Sequence, residues 1–97
     1  MMNKNDKREL VLNELSKLYI VTDGMKYGAD FVLYNKSISK EHGFALVFIK
    51  DHISTLDYKE KVIICRICES VKKQGVIAYV NDKDKTIKYE ELFRKKK

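Results

Sequence analysis

Apolar and polar positions follow two rhythms along this 97-residue chain, and the change of rhythm marks its elements. Val11, Leu15 and Leu18 recur at helical spacing, and Asp6 followed by Glu9 has the spacing of a capping box, so a helix is expected within residues 1–18. Tyr19, Ile20 and Val21 predict a short strand, and Gly24 and Gly28 bracket a turn. Two runs rich in aromatic and β-branched residues come next, ADFVLY at 29–34 and FALVFIK at 44–50, and both predict strands. The polar, glycine-bearing stretch between them, 35–43, predicts a surface loop, where functional groups concentrate.

The clearest element is a second helix. Ile64, Ile67, Cys68 and Val71 fall at i, i+3, i+4 and i+7. Ser54 or Thr55 is the expected cap, with Asp57 at capping-box distance from Ser54. Lys72 and Lys73 are expected in its last turn, and Gly75 where a C-terminal cap belongs. Residues 76–80 predict a buried strand, 81–85 a turn and 86–89 a return strand; 90–97 predict a short helical turn or an edge strand, closing on the basic tail 94–97. This order, helix, three strands, helix, two strands, predicts an α/β fold in which a small mixed β-sheet is sandwiched with two main helices.

Length and charge narrow the picture. Ninety-seven residues make one domain, 1–97, by the usual size of ~100–150. A chain this short buries only about 60–65% of its unfolded surface, so subunit contacts are expected to matter. Twenty Lys+Arg against 14 Asp+Glu give a net charge of +6, which favours a polyanionic partner. The absence of proline and the four glycines exclude collagen-like and linker-rich classes. No apolar run approaches the ~18 residues of a membrane helix, and the start MMNKNDKREL lacks the apolar centre of a signal peptide. Two cysteines, Cys65 and Cys68, do not make a secreted disulfide framework, so a reducing cytoplasm is expected.

By residue type alone, candidate chemistry is thin. Paired glycosidase-type carboxylates, a Ser-His-Asp arrangement and a phosphate-cradling glycine loop are not evident. A zinc site needs about four ligands, and beyond Cys65 and Cys68 the soft donors are His42 and His52. Mid-helix cysteines on an apolar face read as core. His42, in the polar loop, and His52, in the turn before the long helix, are the groups whose ordinary pKa lies near neutrality; alone, both read as solvated surface residues. Lys72 and Lys73 read as cations favoured at a helix C-terminus by ~0.3–1 kcal/mol.

Three stretches, taken in order, change that reading. They are Tyr19-Ile-Val-Thr-Asp-Gly-Met-Lys-Tyr-Gly-Ala-Asp-Phe-Val-Leu-Tyr34, Lys40-Glu-His-Gly-Phe-Ala-Leu-Val47, and Arg66-Ile-Cys-Glu-Ser-Val-Lys-Lys-Gln-Gly-Val-Ile-Ala-Tyr-Val80. Together they resemble the catalytic domain of the archaeal and eukaryal tRNA-splicing endonucleases, over about residues 7–93. The resemblance implies a catalytic Tyr34, His42 and Lys73; Lys73 is preferred to Lys72 because it stands five positions before Ala78. It implies cleavage of precursor tRNA at bulge–helix–bulge sites by the neighbouring 2′-hydroxyl, giving 2′,3′-cyclic phosphate and 5′-hydroxyl ends. The nucleophile then belongs to the substrate, so no metal or other cofactor is expected.

The family's pattern also implies an RNA-gripping role for Arg66, which lies seven residues before Lys73, and a weaker one for Lys88. It implies docking of Asp82 and Asp84, in an acidic loop, into a basic groove of a neighbouring subunit. The expected assembly is a heterotetramer with a related endonuclease subunit, because this chain lacks the extra N-terminal domain of longer members. Whether Tyr34 takes the 2′-hydroxyl proton or only orients it stays open. Three alternatives compete: a non-catalytic structural subunit of the same enzyme, a small basic RNA-binding module, and a metal-dependent nuclease using Asp30 and Glu41.

Overall fold

The computed structural model describes residues 3–35, 43–53 and 57–92. Its elements follow the expected order: α1 (Lys4–Leu15), β1 (Tyr19–Asp23), a 3-10 turn (Met25–Tyr27), β2 (Phe31–Asn35), β3 (Ala45–Asp51), α2 (Tyr58–Ser70), β4 (Gln74–Asn81) and β5 (Thr86–Leu92). The strands form one mixed sheet in the order β1-β2-β3-β4-β5. β3 and β4 run parallel, joined through α2, and the other neighbours pair antiparallel. Among the described residues no helix is long and apolar enough to cross a membrane.

Side-chain alternation sorts the central strands onto two faces. Phe31 and Leu33, Ala45 and Val47, and Ala78 and Val80 pack with Val11 and Leu15 of α1. Residues of the opposite parity, Val32, Leu46, Phe48 and Ile77, pack on the other face with Ile64 and Cys68 of α2. The strands are therefore apolar at successive positions because both faces are covered, as expected of strands at the centre of a three-layer sandwich. Truncating a side chain such as Ile77, fully buried, would cost ~2–5 kcal/mol.

The helix ends differ from the sequence expectation. Asn3, not Asp6, caps α1: its side chain accepts from the Asp6 N–H at 2.8 Å, and Asp6 fills the third position of the capping box. α1 stops at Leu15, short of residue 18, and Leu18 lies 67% exposed beyond it. Asp57 caps α2, with Glu60 answering it; Ser54 and Thr55 lie outside the described residues.

The end of α2 is also corrected. Gly75 is not the cap but the second residue of β4. Lys72 takes the left-handed conformation instead, at φ 57°. Its N–H donates to Glu69 O at 3.1 Å, and the Lys73 N–H donates to Cys68 O at 2.8 Å. That pair of bonds is a Schellman motif closed by a lysine rather than a glycine. Gly75 is needed for a different reason: a methyl there would stand 3.0 Å from Cys68 Sγ. The segment 90–97 is an edge strand through Leu92; the tail 94–97 lies outside the described residues.

Candidate functional site

The sheet brings Tyr34, Gly43 and Lys73 to one end. Tyr34 is at the C-terminal end of β2, half-buried on the α2 face beside the cluster that holds Cys68. Lys73 is the residue before β4, delivered there by the Schellman turn. Phe44, just before β3, links the two strands: its N–H donates to Leu33 O, and its carbonyl accepts from the Gln74 N–H, both at 2.9 Å. The Tyr19 ring, 5.3 Å from that of Phe44, supports it from the edge strand. His42 lies outside the described residues; it precedes Gly43 in the chain.

Gly43 and the Lys73 stem are close neighbours. A methyl on Gly43 would lie 3.4 Å from Lys73 Cε and 2.3 Å from Val32 Cγ1. The Lys73 stem therefore runs alongside the residue that ends the polar loop. Its ammonium lies 5.5 Å from the centre of the Tyr27 ring. A cation next to the loop that carries His42, at the strand end that carries Tyr34, is an arrangement suited to a phosphate group.

The other predicted residues fall elsewhere. Arg66 is exposed on α2, but Lys73 is past the helix end, so a shared helical face does not connect them. Lys88 is exposed on β5 opposite Tyr79, six positions along from Lys73, or ~20 Å at strand rise. Asp82 and Asp84 lie in the β4–β5 turn, at the opposite end of the sheet from Lys73. Asp84 is exposed, and its N–H and that of Lys83 donate to the Asn81 side chain. Asp82 approaches Asp51 and His52, with donor atoms all within 4.8 Å of one another. Those three could hold a divalent cation, yet Lys7 already places its ammonium 3.5 Å from Asp51. Burial works against ionisation of Asp51, but Lys7 and the ring and N–H of His52 together hold its carboxyl below the ordinary value.

Asp30, the carboxylate of the metal-dependent alternative, has a structural job. Its Oδ1 accepts from Arg8 at 2.9 Å and its Oδ2 from the Ile49 N–H at 2.8 Å. Glu41 lies outside the described residues. The cysteines are free: Cys65 is partly exposed, and Cys68 is core, its thiol pushed up to about 11 by burial and by Cys65. Sequence reasoning missed Tyr27, Gly43 and Lys72 as site residues. Tyr27 was legible only as part of a turn between two glycines.

Comparison with known proteins gives this geometry its family. A family model described as tRNA intron endonuclease, catalytic C-terminal domain, matches residues 6–89. The chain belongs to that family. The tRNA-splicing endonuclease of Sulfolobus acidocaldarius is 33% identical over 73 residues, 75% of this chain and 40% of that protein. The protein of the same name from Hyperthermus butylicus is 34% identical over 71 residues, 73% of this chain and 39% of its own length. That from Saccharolobus islandicus is 32% identical over 90 residues, 92% of this chain and 50% of its own length. The chain thus spans half or less of the length of these curated relatives. The mixed five-stranded sheet with a helix on each face is the fold of a tRNA intron endonuclease catalytic domain in this chain.

Proposed function

We propose that this chain, as a single catalytic-type domain over 1–97, is an endoribonuclease that removes introns from precursor tRNA. The observation that carries the reading is the meeting of Gly43 and Lys73 at the sheet end that bears Tyr34, within a chain of this family. The 2′-hydroxyl at a bulge–helix–bulge site attacks the adjacent phosphorus, the bond to the 5′-oxygen breaks, and a 2′,3′-cyclic phosphate and a 5′-hydroxyl end result. Lys73 provides a point charge beside the phosphorane, where negative charge builds up. His42 returns a proton to the leaving 5′-oxygen, a role suited to an imidazole near neutral pH. Tyr34 receives or orients the 2′-hydroxyl proton. Arg66 and Lys88 contact the RNA away from the cut.

Two cuts per intron call for two such sites, and we infer a heterotetramer with a related endonuclease subunit. β5 supports this: it closes one edge of the sheet and is largely exposed, leaving strand hydrogen-bonding groups for a partner. Asp82 and Asp84, ~25 Å from Lys73 along β4, would dock onto basic residues of another subunit without obstructing the cut site.

The test is cleavage of a bulge–helix–bulge RNA by the purified chain, alone and with candidate partner subunits, with end analysis of the products and native mass of the assembly. Cyclic-phosphate and 5′-hydroxyl ends, produced by the mixed assembly, are expected. Full activity from an assembly in which Lys73 of this chain is alanine would assign the chain a structural role instead.

A further inference from the structure

We propose that Tyr27 is a positioning residue for Lys73, its ring holding the ammonium at the place the cleavage step needs; this rests on the reading of Lys73 as the phosphate-facing cation. Lysine carries its charge on a flexible four-carbon stem, so the head wanders unless something holds it. Here the stem is bounded by Gly43, 3.4 Å from Cε to a methyl placed there, and the head stands 5.5 Å from the Tyr27 ring centre. That is within the range of a cation–π contact.

The ring is itself well fixed. Tyr27 is half-buried against the cluster of Val32, Leu46 and Cys68. Its N–H donates to Gly24 O at 2.9 Å, and the Gly28 N–H donates to Met25 O at 3.0 Å, with Gly28 at φ 75° closing the turn. Gly24 lies so close to β2 that a methyl would come 2.9 Å from Phe31 N. Asp23 accepts from the Met25 N–H at 3.1 Å, which ties the start of the turn to β1.

An aromatic ring suits this task better than a carboxylate would. A carboxylate would hold the ammonium by cancelling its charge. The neutral ring attracts it through its quadrupole and leaves the full charge to act on a phosphate. Lys26 sets a second ammonium 5.6 Å from the same ring centre, adding to the positive potential around one anchored side chain.

The experiment compares wild type, Tyr27→Phe, Tyr27→Leu and Lys73→Ala in the active assembly, by single-turnover cleavage and by RNA affinity. It adds the NMR shift of the Lys73 ε-methylene in this chain. Ring contact predicts an upfield shift in wild type and Tyr27→Phe, lost in Tyr27→Leu. Tyr27→Leu should cut ~10–100-fold more slowly, the scale of a misplaced catalytic group, with RNA affinity nearly unchanged. Tyr27→Phe should keep wild-type rate. An unshifted Lys73 methylene in wild type overturns the proposal even if Tyr27→Leu fails to fold. Equal losses in Phe and Leu variants, or a wild-type rate in Tyr27→Leu while Lys73→Ala is inactive, also overturn it and leave the catalytic reading of Lys73 standing. Wild-type cleavage by Lys73→Ala instead removes that reading.

Discussion

A methyl group on Gly43 would stand 3.4 Å from Lys73 Cε, so the residue that closes the polar loop and the lysine that precedes β4 share one small space. The tighter limit is Val32 Cγ1, at 2.3 Å, on a side chain that is 2% exposed and stiff at its first torsion. Gly43→Ala is therefore expected to destabilise the fold by ~1–3 kcal/mol through overpacking. The shift that relieves the Val32 clash should also disturb the neighbouring Lys73 and lower cleavage. A chemical-denaturation midpoint and a single-turnover rate measure the two effects; a rate equal to wild type would show that the Lys73 position does not depend on this contact.

Lys72 holds the left-handed turn that delivers Lys73. A side-chain-bearing residue there costs ~1–2 kcal/mol relative to a relaxed backbone, and a β-branched one more. Lys72→Gly should keep or raise stability and preserve cleavage. Lys72→Val should lower stability by ~1 kcal/mol or more and reduce cleavage along with it. Thermal melts of the two variants, run beside the cleavage assay, give the comparison.

The two histidines should separate cleanly. His42→Ala is expected to slow cleavage by ~10²-fold or more, the scale of losing a general acid. His52→Ala should leave the rate nearly unchanged, because His52 sits with Asp51 and Asp82 at the other end of the sheet. Comparable losses in both would reassign the acid.

Cleavage should persist in excess chelator and leave cyclic-phosphate ends if the proposed mechanism holds, because in it the attacking hydroxyl comes from the RNA and no water needs to be activated. An absolute requirement for a divalent ion, with 5′-phosphate products, would contradict the mechanism.

The Tyr89 hydroxyl donates to Glu14 at 2.5 Å, tying edge strand β5 to α1. Burial first, and then the bond to Glu14 and its charge, raise the Tyr89 pKa well above 10.0. A raised folded-state value means this contribution is complete below pH ~10 and is lost as pH rises from there toward the folded pKa. Tyr89→Phe should lower stability by ~1 kcal/mol at neutral pH and flatten the alkaline fall. Unfolding curves at pH 8 and above pH 10 compare the two; parallel curves would mean the bond contributes nothing.

Much of this protein was determined by sequence alone. The order of helix, three strands, helix and two strands followed from where aromatic and β-branched runs give way to helical spacing. The two faces of the central strands followed from parity: Phe31 and Leu33 must face opposite to Val32, whatever covers them. Tyr34, His42 and Lys73 stood out because their spacing resembles one family. Tertiary structure decided what spacing cannot encode. Gly75 looked like a helix cap because it follows an amphipathic run, yet β4 must begin at Gln74 to bond Phe44, and a side chain at 75 would press on Cys68 Sγ. The left-handed turn then fell to Lys72. Tyr27 and Lys73 are far apart in the chain, and no local pattern joins them. β2 and β4 run in opposite directions on either side of β3, so the turns before them start at opposite ends of the sheet; the contact exists because the Tyr27 side chain packs on the face that α2 covers and meets the Lys73 ammonium there.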